Sequence, residues 1–168
     1  MSLDVYAADE QDDHPVSVER WSALARSVLE AEGIVSETEV SLLFVDEVTI
    51  ASLNERFLHK EGPTDVLSFP IEDEADRSGR SPDEGGTGPG SIEADTGRLL
   101  LLGDVVICPA VAARNAVEHD VTLDDEIALL VVHGILHLLG MDHEVHEEAE
   151  RMEQREQQLL SRYYRVPT

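Results

Sequence analysis

Three histidines stand within eleven residues of an otherwise apolar stretch, HGILHLLGMDH, at His133, His137 and His143. A spacing of four places the first two on one face of a helix, about 6 Å apart along its axis. Gly140 predicts the end of that helix, and the short turn after it can bring His143 back to the same ion. Three imidazoles with an open fourth position are the arrangement of a catalytic zinc site. The spacing therefore predicts one Zn²⁺ held by these histidines.

The residues around the histidines disfavour two kinds of zinc site, the protease site and the purely structural site. Zinc proteases with an HExxH helix use the glutamate beside the first histidine as general base, but Gly134 occupies that position here. A purely structural zinc is disfavoured because no cysteine lies nearby, and His146 is predicted to be solvated on an acidic helix. Asp142 has two open roles: it orients a zinc-bound imidazole, or it caps the last helix.

Composition limits the partners. The chain has 168 residues and a net charge of −24, from 12 Lys and Arg against 36 Asp and Glu. Such a surface disfavours membranes and nucleic acids at long range, because both are polyanions. Cys108 is the single cysteine, which fits a reducing compartment and a buried apolar role. Without a signal peptide or a run of about 20 apolar residues, we expect a soluble, cytoplasmic protein of one domain, residues 1–168.

In the first part of the chain, predicted strands alternate with predicted helices, and the part that carries the histidines is predicted to be wholly helical. Residues 3–10, 39–46, 64–71 and 98–109 have the pattern of strands, with Gly103 as a bulge and Pro70 at an edge. Residues 72–97 are acidic and rich in Gly, Ser and Pro, which predicts a flexible loop. The pattern indicates an α+β domain with a small mixed, roughly four-stranded sheet packed against a buried central helix and surrounding helices.

Capping residues and apolar stripes predict five helices. The first begins after Ser17, and the helix that carries His133 begins after Thr122 and is apolar nearly all round. Pro109 opens another at residues 110–118. Each of the remaining two helices has an apolar stripe, with charged residues on its other faces. In one helix the stripe consists of Val48, Ile50, Leu53 and Phe57. In the other, at residues 144–164, it consists of Val145, Ala149, Met152, Leu159, Leu160 and Tyr163.

The histidine stretch resembles the H-G-x-L-H-L-x-G-x-D-H signature of the YbeY family of bacterial endoribonucleases and rRNA maturation factors. Two further blocks agree with that family: PTDVLSFP at residues 63–70 and LGDVVICP at residues 102–109. The resemblance implies a zincin-like α+β domain with zinc on the three histidines, and cleavage of single-stranded RNA during rRNA processing. It also implies that the small ribosomal subunit and an Era-type GTPase are partners, and that the protein binds neither DNA nor a membrane.

Two departures from the family pattern concern substrate binding. Many members carry an arginine where this chain has Leu58, so we expect Arg56, His59 or Lys60 to bind phosphate instead, unless these residues only form a solvated helix end. The acidic segment at residues 72–97 exceeds what most relatives have there, and is either a tolerated insertion or a gate to the site.

The sequence does not single out one group for proton transfer. Asp65, Asp104 and Asp142 are candidates for catalysis because each lies in one of the three motifs, and a ribose 2′-hydroxyl is an alternative nucleophile. Two other functions compete with a nuclease. One is a metalloprotease or other metal hydrolase; the other is a ribosome assembly factor whose zinc has no catalytic role.

Overall fold

A mixed four-stranded sheet forms one layer of the protein. The computed structural model describes residues 3–34, 37–71, 100–141 and 146–164, and the loop predicted at residues 72–97 lies outside them. The strands are β1 (Leu3–Glu10), β2 (Thr38–Val45), β3 (Val66–Pro70) and β4 (Leu100–Ile107), in the spatial order β1-β2-β4-β3. β1 and β4 run parallel to β2, and β3 runs antiparallel to β4. The predicted α+β class and mixed sheet are confirmed.

A bulge in β4 occurs at the predicted glycine. Glu39 pairs with Leu101 and Val40 with Gly103, so that Leu102 is the extra residue. Gly103 has a φ of 135°, and a Cβ there would lie 2.3 Å from the backbone oxygen of Phe69. No side chain fits at this position, which explains why glycine is needed where β3 and β4 come together.

Five α-helices lie within the described residues: α1 (Val18–Ala31), α2 (Glu47–Leu58), α3 (Pro109–His119), α4 (Leu123–Leu138) and α5 (His146–Leu159), followed by a π-helical turn at Leu160–Tyr164. The predicted caps are present. The Ser17 hydroxyl accepts from the Arg20 backbone N–H at 3.2 Å, and Thr122 forms a reciprocal capping box with Asp125. None of the described helices is both long enough and apolar enough to cross a bilayer.

Helix α4 is the central element of the fold, as predicted. It contacts α1, α3, α5, β3 and β4, and ten of its sixteen residues are buried. Helix α4 therefore has little freedom to shift, because its neighbours surround it on several sides. The buried side chains of this helix are consequently held in fixed positions.

The predicted stripe of α2 is wrong in part. Ile50 is fully buried, but Val48 and Phe57 are 79% and 54% exposed. Asn54 takes a buried position instead, and its amide donates to the Gly62 carbonyl at 2.9 Å. The physical reason is that α2 packs on a small cluster, on the sheet face away from α4, that consists of Val45, Ile50, Leu67, Val106 and Cys108. Cys108 is buried as predicted, and this burial raises the pKa of its thiol.

One buried carboxylate ties the end of α3 to the first turns of α4. Glu126 is 3% exposed, and its Oε1 lies 2.9 Å from Nδ1 of His119. The hydrogen bond to Glu126 and the charge of Glu126 raise the pKa of His119 above its ordinary value of 6.5, and the charges of Glu118 and Asp65 act in the same direction.

This contact predicts a stability difference that depends on pH. A raised folded-state pKa means that the protonated ring stabilises the fold fully below the unfolded-state pKa, and that this contribution is lost as the pH rises through the folded-state value. We expect His119→Gln to lower the free energy of unfolding more at about pH 5.5 than at about pH 9. Urea denaturation of both proteins at both pH values measures this. An equal loss at the two values would contradict the coupling.

Candidate metal centre

Two of the three predicted zinc ligands lie side by side on α4. His133 and His137 have ring centroids 5.5 Å apart, with their planes at 70°. Both side chains are partly exposed, whereas Val132, Ile135 and Leu136 around them are fully buried. The predicted common face of the helix is therefore present, and it reaches the surface of an otherwise buried helix.

The helix ends where the sequence predicts. Gly140 has a φ of 100°, its N–H donates to the His137 carbonyl at 3.0 Å, and the Met141 N–H donates to the Leu136 carbonyl at 3.0 Å. This pair of bonds is a Schellman motif, which turns the chain sharply at the helix end. Such a turn suits the predicted return of a ligand three residues after Gly140.

Asp142 and His143 lie outside the described residues, so their predicted roles stay predictions. Within the described ranges, no group of three His, Cys, Asp or Glu side chains is placed to hold a metal ion. The described part of the site is therefore the pair of His133 and His137.

A buried carboxylate holds the first histidine in place. Oε2 of Glu156, on α5, lies 2.5 Å from Nδ1 of His133, and the Glu156 side chain is 8% exposed. Because a carboxylate only accepts hydrogen bonds, Nδ1 carries the proton, and the lone pair of a neutral ring is then on Nε2. A carboxylate behind a histidine in this way is the usual outer partner of a metal-bound imidazole.

Sequence reasoning missed Glu156. Helix α5 was expected to keep its charges away from its apolar stripe, but Met152, Glu156 and Leu159 are its buried residues. A signal was available, since these three have the i, i+4, i+7 spacing of a single helix face. A carboxylate on a buried face requires a partner, and the histidine helix is the neighbour that supplies it.

Gly134 faces the sheet rather than the histidine surface. A Cβ at Gly134 would lie 2.5 Å from Cγ1 of Val105, so that α4 and β4 are in direct contact here. The Ser68 hydroxyl on β3 donates to the Gly134 carbonyl at 3.3 Å. A glutamate at this position would clash with β4, so the helix has no room for the protease-type base. This geometry counts against the metalloprotease alternative.

The two candidate catalytic carboxylates in the strand motifs, Asp65 and Asp104, lie away from the histidine face. The carboxylate of Asp65 accepts from the Asn115 amide at 3.1 Å, and its carbonyl accepts from the Cys108 N–H at 2.9 Å, which places it against α3. Asp104 precedes Val105, whose side chain meets α4; because side chains alternate along a strand, Asp104 projects from the opposite face of the sheet. The structure therefore does not bring these two together with the histidine face, and their catalytic role stays a prediction.

The candidate phosphate-binding residues cluster at the end of α2. Arg56, His59 and Lys60 are all exposed, and His59 caps the helix in a left-handed conformation, with a φ of 58°. Leu58, at the position of the family arginine, is 44% exposed. The structure thus exposes all three side chains at the end of α2, near an exposed apolar one.

Comparisons with known proteins agree with this architecture. A family model described as "Endoribonuclease YbeY" matches residues 6–164. Proteins named endoribonuclease YbeY are similar over most of the chain. The one from Frankia casuarinae is 40% identical over 157 residues, covering 94% of this chain and 73% of its own. The one from Nocardioides is 40% identical over 148 residues, covering 88% and 90%.

A solved structure shows the same fold. The solution structure of TM1509 from Thermotoga maritima superposes with a TM-score of 0.56 over 99% of this chain and 94% of that one, at 23% identity. This likeness supports the arrangement of the sheet and helices, and the sequence matches supply the relationship. The chain belongs to the endoribonuclease YbeY family.

Proposed function

We propose that this chain is a Zn²⁺-dependent endoribonuclease that cleaves single-stranded RNA in ribosomal RNA processing and small-subunit maturation. The observation that carries the proposal is the histidine pair on α4, in which His133 is bound to the buried carboxylate of Glu156. The relatives named endoribonuclease YbeY support the same activity.

The donor set fits zinc. Imidazole nitrogen is a favoured zinc donor, and the Glu156 carboxylate holds the proton of His133 at Nδ1, away from the nitrogen that would bind the metal. We assign His143 as the third ligand, because it follows the sharp turn at Gly140 by three residues. When bound, the ion would supply a Lewis acid that stabilises negative charge on a phosphoryl oxygen.

The other residues bind the substrate and handle the proton. Arg56, His59 and Lys60 would bind phosphate from the exposed end of α2. Asp142, next to His143 in the chain, would accept the proton of the nucleophile, either water or a ribose 2′-hydroxyl. Asp65 is less suited because Asn115 already occupies its carboxylate.

The charge of the protein favours action on a ribosomal particle. At a net charge of −24, free RNA is attracted weakly, so specificity would come from docking on the small ribosomal subunit or an Era-type GTPase in the cytoplasm. We expect modest cleavage of naked RNA and faster cleavage of the same RNA within a precursor particle. Equal rates on both substrates would contradict this part of the proposal.

The test of the activity is an RNA cleavage assay after metal removal and restoration. The protein is stripped with a chelator, reloaded with Zn²⁺, and incubated with a labelled single-stranded RNA and with the duplex of the same sequence. We expect the reloaded protein to cleave the single strand, at least about 10-fold faster than the duplex, and the stripped protein to be inactive. A zinc-loaded protein that cleaves neither naked nor particle-bound RNA would instead be a non-catalytic assembly factor.

A further inference from the structure

An aromatic ring at the end of α2 is exposed to solvent although a second ring packs against its edge. Phe57 is 54% exposed, and its ring lies edge-on to Phe69 of β3, with centroids 5.4 Å apart and planes at 65°. The guanidinium carbon of Arg56 lies 5.7 Å from the centroid of the Phe57 ring. An exposed ring fixed by a second ring and flanked by a guanidinium presents a flat, preformed surface.

The charge around this ring differs from that of the whole protein. Residues 55–61 contain two basic residues, Arg56 and Lys60, and two acidic ones, Glu55 and Glu61, so the segment is formally neutral in a chain of net charge −24. RNA is therefore repelled less by this segment than by the acidic remainder of the chain, but phosphate attraction alone cannot supply much affinity. Stacking of an unpaired base on the ring can supply it, because every base has a π-face.

Strand β3 lies between the ring and the candidate metal centre. Phe69 follows Ser68 on β3, the strand at the end of the sheet order β1-β2-β4-β3. The Ser68 hydroxyl contacts the carbonyl of Gly134, the residue after His133, whereas Phe69 points to the other side of the strand. A single strand of RNA that passes around β3 can thus contact the ring on one side and the histidine face on the other.

We propose that Phe57, fixed by Phe69 and flanked by Arg56, is a stacking subsite for one unpaired base of the RNA substrate. The proposal rests on the endoribonuclease function proposed above and adds the way in which an acidic enzyme holds a polyanion. It also accounts for a preference for single strands, since the bases of a duplex are already stacked on each other.

The test uses three variants of the full-length protein. Phe57→Ala removes the stacking surface, Phe57→Trp keeps it and adds a fluorophore, and Tyr6→Ala is the matched control. Tyr6 is 59% exposed and lies on β1, at the opposite end of the sheet. The native tryptophan, Trp21, is 1% exposed and gives a constant background. Metal-free protein is used for fluorescence, so that binding is measured without cleavage.

We expect Phe57→Ala to raise KM for single-stranded RNA about 10-fold with little change in kcat, because the ring binds substrate without taking part in bond breaking. Phe57→Trp should keep the wild-type KM, and single-stranded RNA should quench its fluorescence more than the duplex does. Tyr6→Ala should behave as the wild type.

Two results would overturn the subsite. One is an unchanged KM in Phe57→Ala while the wild type cleaves RNA, a result that leaves the proposed function intact. The other is a Phe57→Trp fluorescence that RNA does not alter. If, in that case, Phe57→Ala weakens binding to ribosomal particles but not to naked RNA, the ring contacts a protein of the particle. A wild type that cleaves no RNA would contradict the proposed function, and the fluorescence titration would still decide the subsite.

Discussion

Replacing His137 by alanine is expected to remove zinc binding and to lower RNA cleavage by about 1000-fold or more. If His137 is one of the three proposed ligands, the two that remain are too few to hold the ion. The protein then also loses the several kcal/mol by which a metal stabilises charge in a phosphoryl transition state. The ring of His137 is partly exposed, so its removal leaves no cavity in the core. Zinc content by elemental analysis and the cleavage rate of a single-stranded RNA measure the two effects.

His146→Ala is the matched control for this experiment. His146 is 84% exposed on α5 and pairs with Glu150 at 3.2 Å, on the solvent side of the helix. We expect the variant to retain zinc and activity, and circular dichroism to show the same helix content for both variants. A zinc-free His137→Ala protein that cleaves RNA at the wild-type rate would overturn the metal-dependent mechanism.

Replacing Glu156 by glutamine is expected to weaken zinc binding about 10- to 100-fold while leaving the metal-free fold in place. Glutamine has nearly the same shape, but its neutral amide no longer supplies the carboxylate that holds the Nδ1 proton of His133. The ring becomes a weaker and less well oriented ligand. A competition titration with a zinc chelator measures the change in affinity.

A second measurement separates orientation of the histidine from support of the fold. Zinc stabilises the native state more when it binds more tightly, so the zinc-dependent rise in Tm should be smaller in Glu156→Gln than in the wild type, while the Tm of the stripped proteins should be similar. Glu153→Gln, on an exposed position of the same helix, should match the wild type in both respects. Wild-type zinc affinity in Glu156→Gln would show that the carboxylate does not support the site.

The acidic surface and the neutral patch at Phe57 suggest how the protein selects substrate. A net charge of −24 keeps RNA at a distance unless a partner or a local contact holds it. The basic residues at the end of α2 and the exposed ring beside them would provide one such contact, next to the strand that touches the histidine helix. The selectivity of the enzyme would then come from local contacts and docking, and its salt dependence should be modest.

Much of the fold was predictable because it depends on short-range patterns. The caps at Ser17 and Thr122, the bulge at Gly103 and the stop at Gly140 each follow from local backbone chemistry, and the structure has them where the sequence predicts. The prediction of the buried residues of α2 was partly wrong, because periodicity identifies a helix but does not show how large a surface that helix packs against. Val48 and Phe57 are exposed because the cluster under α2 is small.

By itself, the sequence determined that two histidines share a helix face and that a glycine ends this helix. It also determined that the residue directly after the first histidine is a glycine and not a carboxylate. These features depend on residues at most a few positions apart. The tertiary structure alone decided that Glu156 contacts His133, 23 positions earlier, that Asp65 is bound at α3, and that Phe69 fixes Phe57. Such pairs depend on how helices and strands pack against each other, and this packing is set by the whole buried core rather than by any local spacing.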